Sequence, residues 1–326
     1  MARSFLRILV ATSIVAAIGF LAFAIVLRQP TITTLAFRGT ARADANVLRR
    51  HVAFLTNDVS PRSASHPENL DRAAAYIARA FRDAQGDTNV QTFDARRRRY
   101  SNVIARFGPR DASLPVLVIG AHYDAFGDTG DLPGADDNAS GTAGLLELAR
   151  LLGQHKVEAP VMLVAFTTEE PPFFASEQMG SAVHANQLAA DRIAVRGMIC
   201  LEMIGYFSDK QAWPNPLFEL LYPSRGDFIG VAGGWQDREL ARFVKRAMAG
   251  AATLPVVSFS GPRETSDASD QRNYWSHGWK AVMVTDTAFL RNPNYHTRRD
   301  TAATLDYERM AHVVDGVLNA SLQPAR

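Results

Sequence analysis

Leu114-Pro-Val-Leu-Val-Ile-Gly-Ala-His-Tyr-Asp124 is an apolar run that ends in ionisable side chains, and Val161-Met-Leu-Val-Ala-Phe-Thr-Thr-Glu-Glu170 repeats the form. Leu114 to Gly120 and Val161 to Phe166 are short and show no polar alternation, so each reads as a strand buried on both faces of a largely parallel sheet. Gly197 to Met203 has the same character and carries Glu202. Asn89 to Phe93, Asn102 to Phe107, Phe228 to Ala232 and Lys280 to Thr285 read as further strands. Helical spacing of apolar residues marks Asn69 to Phe81. Gly141 to Leu152, opened by Asn138 or Ser140 as N-cap, Glu239 to Ala251 and Asp306 to Leu322 read as the other helices. Strands and helices in alternation predict an α/β fold. The expectation is a single globular domain over residues 45–326, with a mixed, mostly parallel central sheet flanked by helices, and a linker over 31–44.

In such sheets a site forms beyond the carboxyl ends of the strands. His122 and Asp124, then Glu169 and Glu170, then Glu202 stand at those ends in succession. Gly134-Ala-Asp-Asp-Asn-Ala-Ser-Gly141 puts carboxylates on a turn before a helix, and Asn294-Tyr-His-Thr297 follows strand Lys280–Thr285. Each feature alone has a plainer reading. A lone histidine is more often a hydrogen-bonded structural residue, adjacent glutamates are surface charge, and an aspartate pair caps a turn. Jointly, two histidines and several carboxylates at one sheet edge repel or stay unpaired unless cations neutralise them. Imidazole with carboxylate favours zinc over calcium or magnesium. A two-metal site needs a carboxylate shared between the ions and a base that is not itself a ligand. Glu169 and Glu170 can divide the tasks of base and ligand, because neighbouring side chains diverge at a strand end.

These motifs, together with Leu201-Glu-Met-Ile-Gly205, occur in an order that resembles the co-catalytic di-zinc exopeptidases, the superfamily of bacterial leucyl-type aminopeptidases, glutamate carboxypeptidases and glutaminyl cyclases. The resemblance covers residues 45–322 and implies the phosphorylase/hydrolase-like fold of those enzymes. It implies two Zn²⁺ ions: His122 and Glu202 on one, Glu170 and His296 on the other, and Asp137 bridging them through a residue followed by a cis peptide. It implies Glu169 as general base, Asp124 as the group that orients His122, Asp136 as structural, and Asp270 of the Ser269-Asp270 pair as support for His296. Tyr295 is a candidate for stabilising the oxyanion. Two departures stand out: Gln271 replaces a histidine common in relatives, and Glu202 stands where many carry aspartate. The implied activity is a metallopeptidase, foremost an aminopeptidase acting on peptides with a free N-terminus. A glutaminyl-cyclase-like acyltransferase, a carboxypeptidase or small-amide hydrolase, and a non-catalytic binding ectodomain are the rivals.

Ile8 to Leu27 holds twenty residues without a charge, which matches the hydrocarbon thickness of a bilayer. Ala22-Phe-Ala24 has the form of a signal-peptidase site, but the apolar run continues through Ile25-Val-Leu27. Residues 1–30 are therefore expected as a retained single-pass membrane anchor, with the catalytic domain outside the cytoplasm. A net charge of +2 gives no electrostatic case for nucleic acid. Cys200, the one cysteine, lies in an apolar run and reads as a packing residue. Arg96 to Arg99 reads as a solvated hairpin, with anionic lipid as its livelier partner. The irregular stretch from Tyr206 to Asp227 is expected to form a rim or lid. Tyr206, Phe207, Trp213 and Phe228 are candidates for a specificity wall, or else core.

Overall fold

The structure, a computed structural model, describes residues 2–111, 113–127, 132–251 and 253–324. Met1 and the last two residues, which fall within the expected anchor and domain limits, lie outside that set. Eight strands form one sheet: β1 (Asp87–Ala95), β2 (Arg98–Phe107), β3 (Val116–His122), β4 (Val161–Phe166), β5 (Val195–Glu202), β6 (Ile229–Gly234), β7 (Val256–Gly261) and β8 (Ala281–Thr285). Their spatial order is β1-β2-β4-β3-β5-β8-β6-β7. β4, β3, β5 and β8 run parallel in the middle of the sheet. A β1–β2 hairpin adds antiparallel to β4, and a parallel β6–β7 pair adds antiparallel to β8. The sheet is mixed, as expected, and its parallel centre is where the site lies.

Nine helices accompany it among the described residues: α1 (Ala2–Arg28), α2 (Ala45–Ala53), α3 (Pro67–Asp83), α4 (Gly141–Leu152), α5 (Gly180–Ala190), α6 (Pro216–Leu221), α7 (Arg238–Ala251), α8 (Gln271–Trp275) and α9 (Tyr307–Leu322). Every residue of β3 and β4 is buried, which explains their unbroken apolar character. Leu117, Ile119 and Ala121 of β3 face a large core built with α2, α3, α4, α7 and α9. Val116 and Val118 face a smaller one with α5 and α8, where Cys200 also packs. The period of two along a strand sorts the side chains between these layers.

Residues 31–44, expected as a linker, form a strap bound to the domain. Leu35 N–H donates to Arg246 O at 3.0 Å. Asn319 accepts from Arg38 N–H at 3.1 Å and donates to Leu35 O at 3.1 Å, while Asp315 accepts from Ala43 N–H at 2.9 Å. Leu35, Phe37, Ala41 and Ala43 of this segment also pack against the large core. The arginine run forms the β1–β2 hairpin: Arg96 and Arg97 take the left-handed turn positions, with φ of 45° and 66°. It lies at the sheet edge opposite β7, which α1 contacts. Phe5–Arg28 within α1 is apolar and long enough to cross a membrane, and its apolar window is not buried in the protein.

Candidate metal centre

β3, β4 and β5 deliver His122, Glu169 with Glu170, and Glu202 to one edge because they run parallel and in register. The chain leaves the strands through Thr168 (φ 56°) and Met203 (φ 49°), and His296 itself has φ 53°. Left-handed backbone at non-glycine residues is uncommon and clusters at functional sites. Asp137 comes from the wide turn Ala135–Ser140 ahead of α4, and the Asp137–Asn138 peptide is cis.

The five residues expected as ligands fall into two groups that share Asp137. His122, Asp137 and Glu202 form one, Asp137, Glu170 and His296 the other, with donor atoms in each group within 4.8 Å of one another. His122 Nε2 lies 3.4 Å from Asp137 Oδ1 and 3.3 Å from Glu202 Oε2. His296 Nε2 lies 2.9 Å from Asp137 Oδ2 and 3.5 Å from Glu170 Oε1. Yet the buried atoms Glu170 Oε1 and His296 Nε2 make no directed hydrogen bond. Donor atoms crowded together but not aimed at each other fit a cation between them, so the residues suit zinc. Glu169 Oε2, 3.8 Å from His122 Nε2, belongs to neither group.

The electrostatics agree. Burial raises the Glu170 carboxyl to about 8, with Asp137 adding to the effect and His296 opposing it. Burial, then Glu170 and Glu202, push Glu169 well above the usual carboxylate range against the pull of His122. His122 and His296 move the other way. Burial disfavours their charged forms but is outweighed by the facing carboxylates, holding His122 well above its ordinary value and His296 at about 9. The edge thus carries a negative excess that is balanced by retained protons, which bound dications would replace.

Several partners refine the expected roles. Asp124 Oδ1 is 3.4 Å from His122 Nδ1. Its carboxylate also accepts the N–H groups of Glu169 and Glu170 at 3.2 and 3.0 Å, clamping the end of β4 to that of β3. Asp136 accepts from Gly205 N–H and Asn292 Nδ2 at 3.0 and 2.7 Å, tying the turn to distant loops. Asp270 stands close to the His122 half of the site. The charged groups acting on it include His122, Glu202 and Asp124, and α8 packs on β5. Burial raises it to about 7, and its neighbour Ser269 donates to Glu202 Oε2 at 2.5 Å. Gln271 donates to Ser266 O at 2.5 Å. Tyr295 stacks on His296 at 3.8 Å and Phe126 stacks on it at 4.0 Å. Two rings so close to one imidazole take its two faces, which fixes its plane. Trp213 and Phe228, expected as a possible wall, instead join an aromatic cluster with Tyr222 and Phe259.

Three residues of this centre escape a reading of the sequence. Phe126 lies between motifs. Asp300 accepts the N–H groups of Asp136 and Asp137 at 2.9 and 3.1 Å. Arg62, wholly buried, donates to the carbonyls of Tyr123, Leu55, Pro133 and Gly134, joining the end of β3 to the turn that carries Asp137. Burial lowers its guanidinium to about 10, with Asp124, Asp300 and Asp137 opposing.

The sequence is 45% identical over 310 residues to the uncharacterized protein YfbL of Escherichia coli (strain K12), covering 92% of this chain and 94% of the relative. It is 27% identical over 289 residues to leucine aminopeptidase 1 of Arthroderma otae (strain ATCC MYA-4605 / CBS 113480), covering 86% of this chain and 71% of that one. The fold matches the LapA aminopeptidase of Legionella pneumophila with a TM-score of 0.70 at 20% identity, over 86% of this chain and 71% of that one. It matches a glutaminyl cyclase of Bacteroides thetaiotaomicron with a TM-score of 0.68 at 18% identity, over 87% and 99%. These two likenesses carry the fold alone. The sequence pattern of Peptidase family M28 spans residues 102–321 and takes in every member of the two ligand groups, so the chain belongs to peptidase family M28.

Proposed function

We propose that this M28 peptidase is an aminopeptidase tethered to a membrane by α1, with its catalytic domain on the extracytoplasmic side. The observation that carries the reading is a pair of complete three-residue ligand groups sharing Asp137, with Glu169 beside them and outside both. His122, Asp137 and Glu202 would hold one zinc ion, and Asp137, Glu170 and His296 a second. Zinc bound there supplies a Lewis acid and an acidified water. Glu169 takes the proton of the attacking water on its carboxylate and returns it to the leaving amine nitrogen. Its burial favours this role by keeping proton affinity high. Tyr295, whose phenol burial holds in the protonated form, offers a hydrogen-bond donor to the oxyanion. Phe289, 63% exposed and 5.8 Å from the Tyr295 ring, offers an apolar rim for a substrate side chain.

The family relatives named as aminopeptidases and the completeness of both ligand groups favour hydrolysis over cyclisation. Free-amine peptides should lose their first residue, and N-acetylation should abolish the reaction. Glu169→Gln should keep bound zinc and lower kcat by about 10²–10⁴. Near-normal turnover in that variant with zinc in place removes Glu169 from the role. Ammonia release from an N-terminal glutaminyl peptide without amino-acid release would favour the acyltransferase.

A further inference from the structure

The end of α1 is built into the domain. Leu27 packs with Leu221 and Tyr222, and Ala24, Trp213 and Phe218 pack around them. Lys245 Nζ donates to the carbonyls of Arg28 and Gln29 at 2.8 and 3.0 Å, filling the carbonyl end of the helix. Gln29 Nε2 donates to Ser260 Oγ at 2.8 Å. A helix fixed at its end in this way also fixes the tilt of the domain against whatever surface it emerges from.

Apolar and basic side chains both surround that junction. α6 uses Phe218 and Leu221 to pack inward, while Leu217 and Leu220 point outward, 37% and 72% exposed. Ile32, just past the helix, is 92% exposed. At the same junction a cavity of about 300 Å³ is lined by Ile25, Gln29, Ile32, Arg242, Lys245 and Arg246. Apolar side chains continuous with a membrane-length helix, next to a basic concavity, match the two layers of an anionic leaflet.

We propose that this face of the domain lies on the anionic lipid surface from which α1 emerges, with Leu217, Leu220 and Ile32 in the interfacial zone and Arg242 and Arg246 against headgroup phosphates. The inference rests on the reading of α1 as a membrane anchor. Cys200 is buried, so single cysteines can be placed at will in the full chain. Ile14→Cys, Leu220→Cys, Arg242→Cys and Val90→Cys, each labelled with a nitrobenzoxadiazole, would be reconstituted in vesicles of phosphatidylcholine and phosphatidylglycerol. Val90 sits on β1, at the sheet edge opposite β7. Nitroxide at headgroup depth should quench positions 220 and 242 at least twofold and leave 90 unaffected, and nitroxide deep in the acyl chains should quench 14. Quenching at 14 with none at 220 or 242, or at only one of the two, overturns the inference and leaves the anchor standing. No quenching at 14 overturns the anchor and the inference with it.

Discussion

Asp300 and Arg62 act on the turn that carries Asp137 through backbone groups. Asp300 accepts two consecutive N–H groups, including that of Asp137, which both candidate ligand groups share. Asp300→Asn keeps one acceptor and turns an amide toward an N–H, so Asp137 should lose its fixed orientation. The expected outcome is zinc affinity weakened about 10–100-fold in a folded protein, measured by chelator competition. Arg62→Met strands four buried carbonyls and should destabilise the chain by about 3 kcal/mol or more, read from urea unfolding. Unchanged stability would mean that water replaces the guanidinium. The candidate ligands were legible because imidazole and carboxylate at strand ends advertise metal chemistry. Asp300 and Arg62 were not, since a side chain bonded to backbone leaves no mark in the sequence of its partner.

At the level of elements, the fully buried strands β3 and β4 and the amphipathic helices α3 and α7 follow from pattern alone. β7 does not, because Ser258 and Ser260 interrupt it with buried hydroxyls that serve the end of α1. α5 escapes for a similar reason: it buries small and polar residues, including Ser181 and His184, in place of an apolar stripe. His184 Nδ1 lies 2.7 Å from the Tyr274 hydroxyl and joins α5 to α8. Burial, with Arg106 adding, pushes this imidazole down to about 3. Between that value and 6.5, the unfolded chain binds a proton at His184 that the folded one does not. Its stabilising effect is therefore complete above pH 6.5 and lost as pH falls toward 3. His184→Gln should flatten the acid limb of the stability profile by up to about 1.4 kcal/mol per pH unit, and identical slopes would refute the assignment.

For the whole molecule, two expectations concern how distant parts hold together. Removing zinc leaves the carboxylates of one sheet edge facing each other, so chelation should lower Tm. Zinc at a hundredfold excess over Kd should restore about 2.7 kcal/mol. A Tm insensitive to chelator and zinc would argue against a structural contribution from the centre. Asn319, fully buried on α9, holds the 31–44 strap through Arg38 and Leu35. Asn319→Leu should expose Arg38 and Arg42 to trypsin, with cleavage followed by mass spectrometry, whereas the parent chain resists. Sequence by itself determined the α/β class, the apolar N-terminal helix and the candidate ligand residues, because hydrophobic period and donor chemistry are properties of local stretches. Tertiary structure alone decided which half of the site Asp270 faces, that the strap is bound, and that α6 and the end of α1 share one surface. Each of these depends on the packing of segments far apart in the chain, and packing is set by shape and backbone hydrogen bonding that no single stretch encodes.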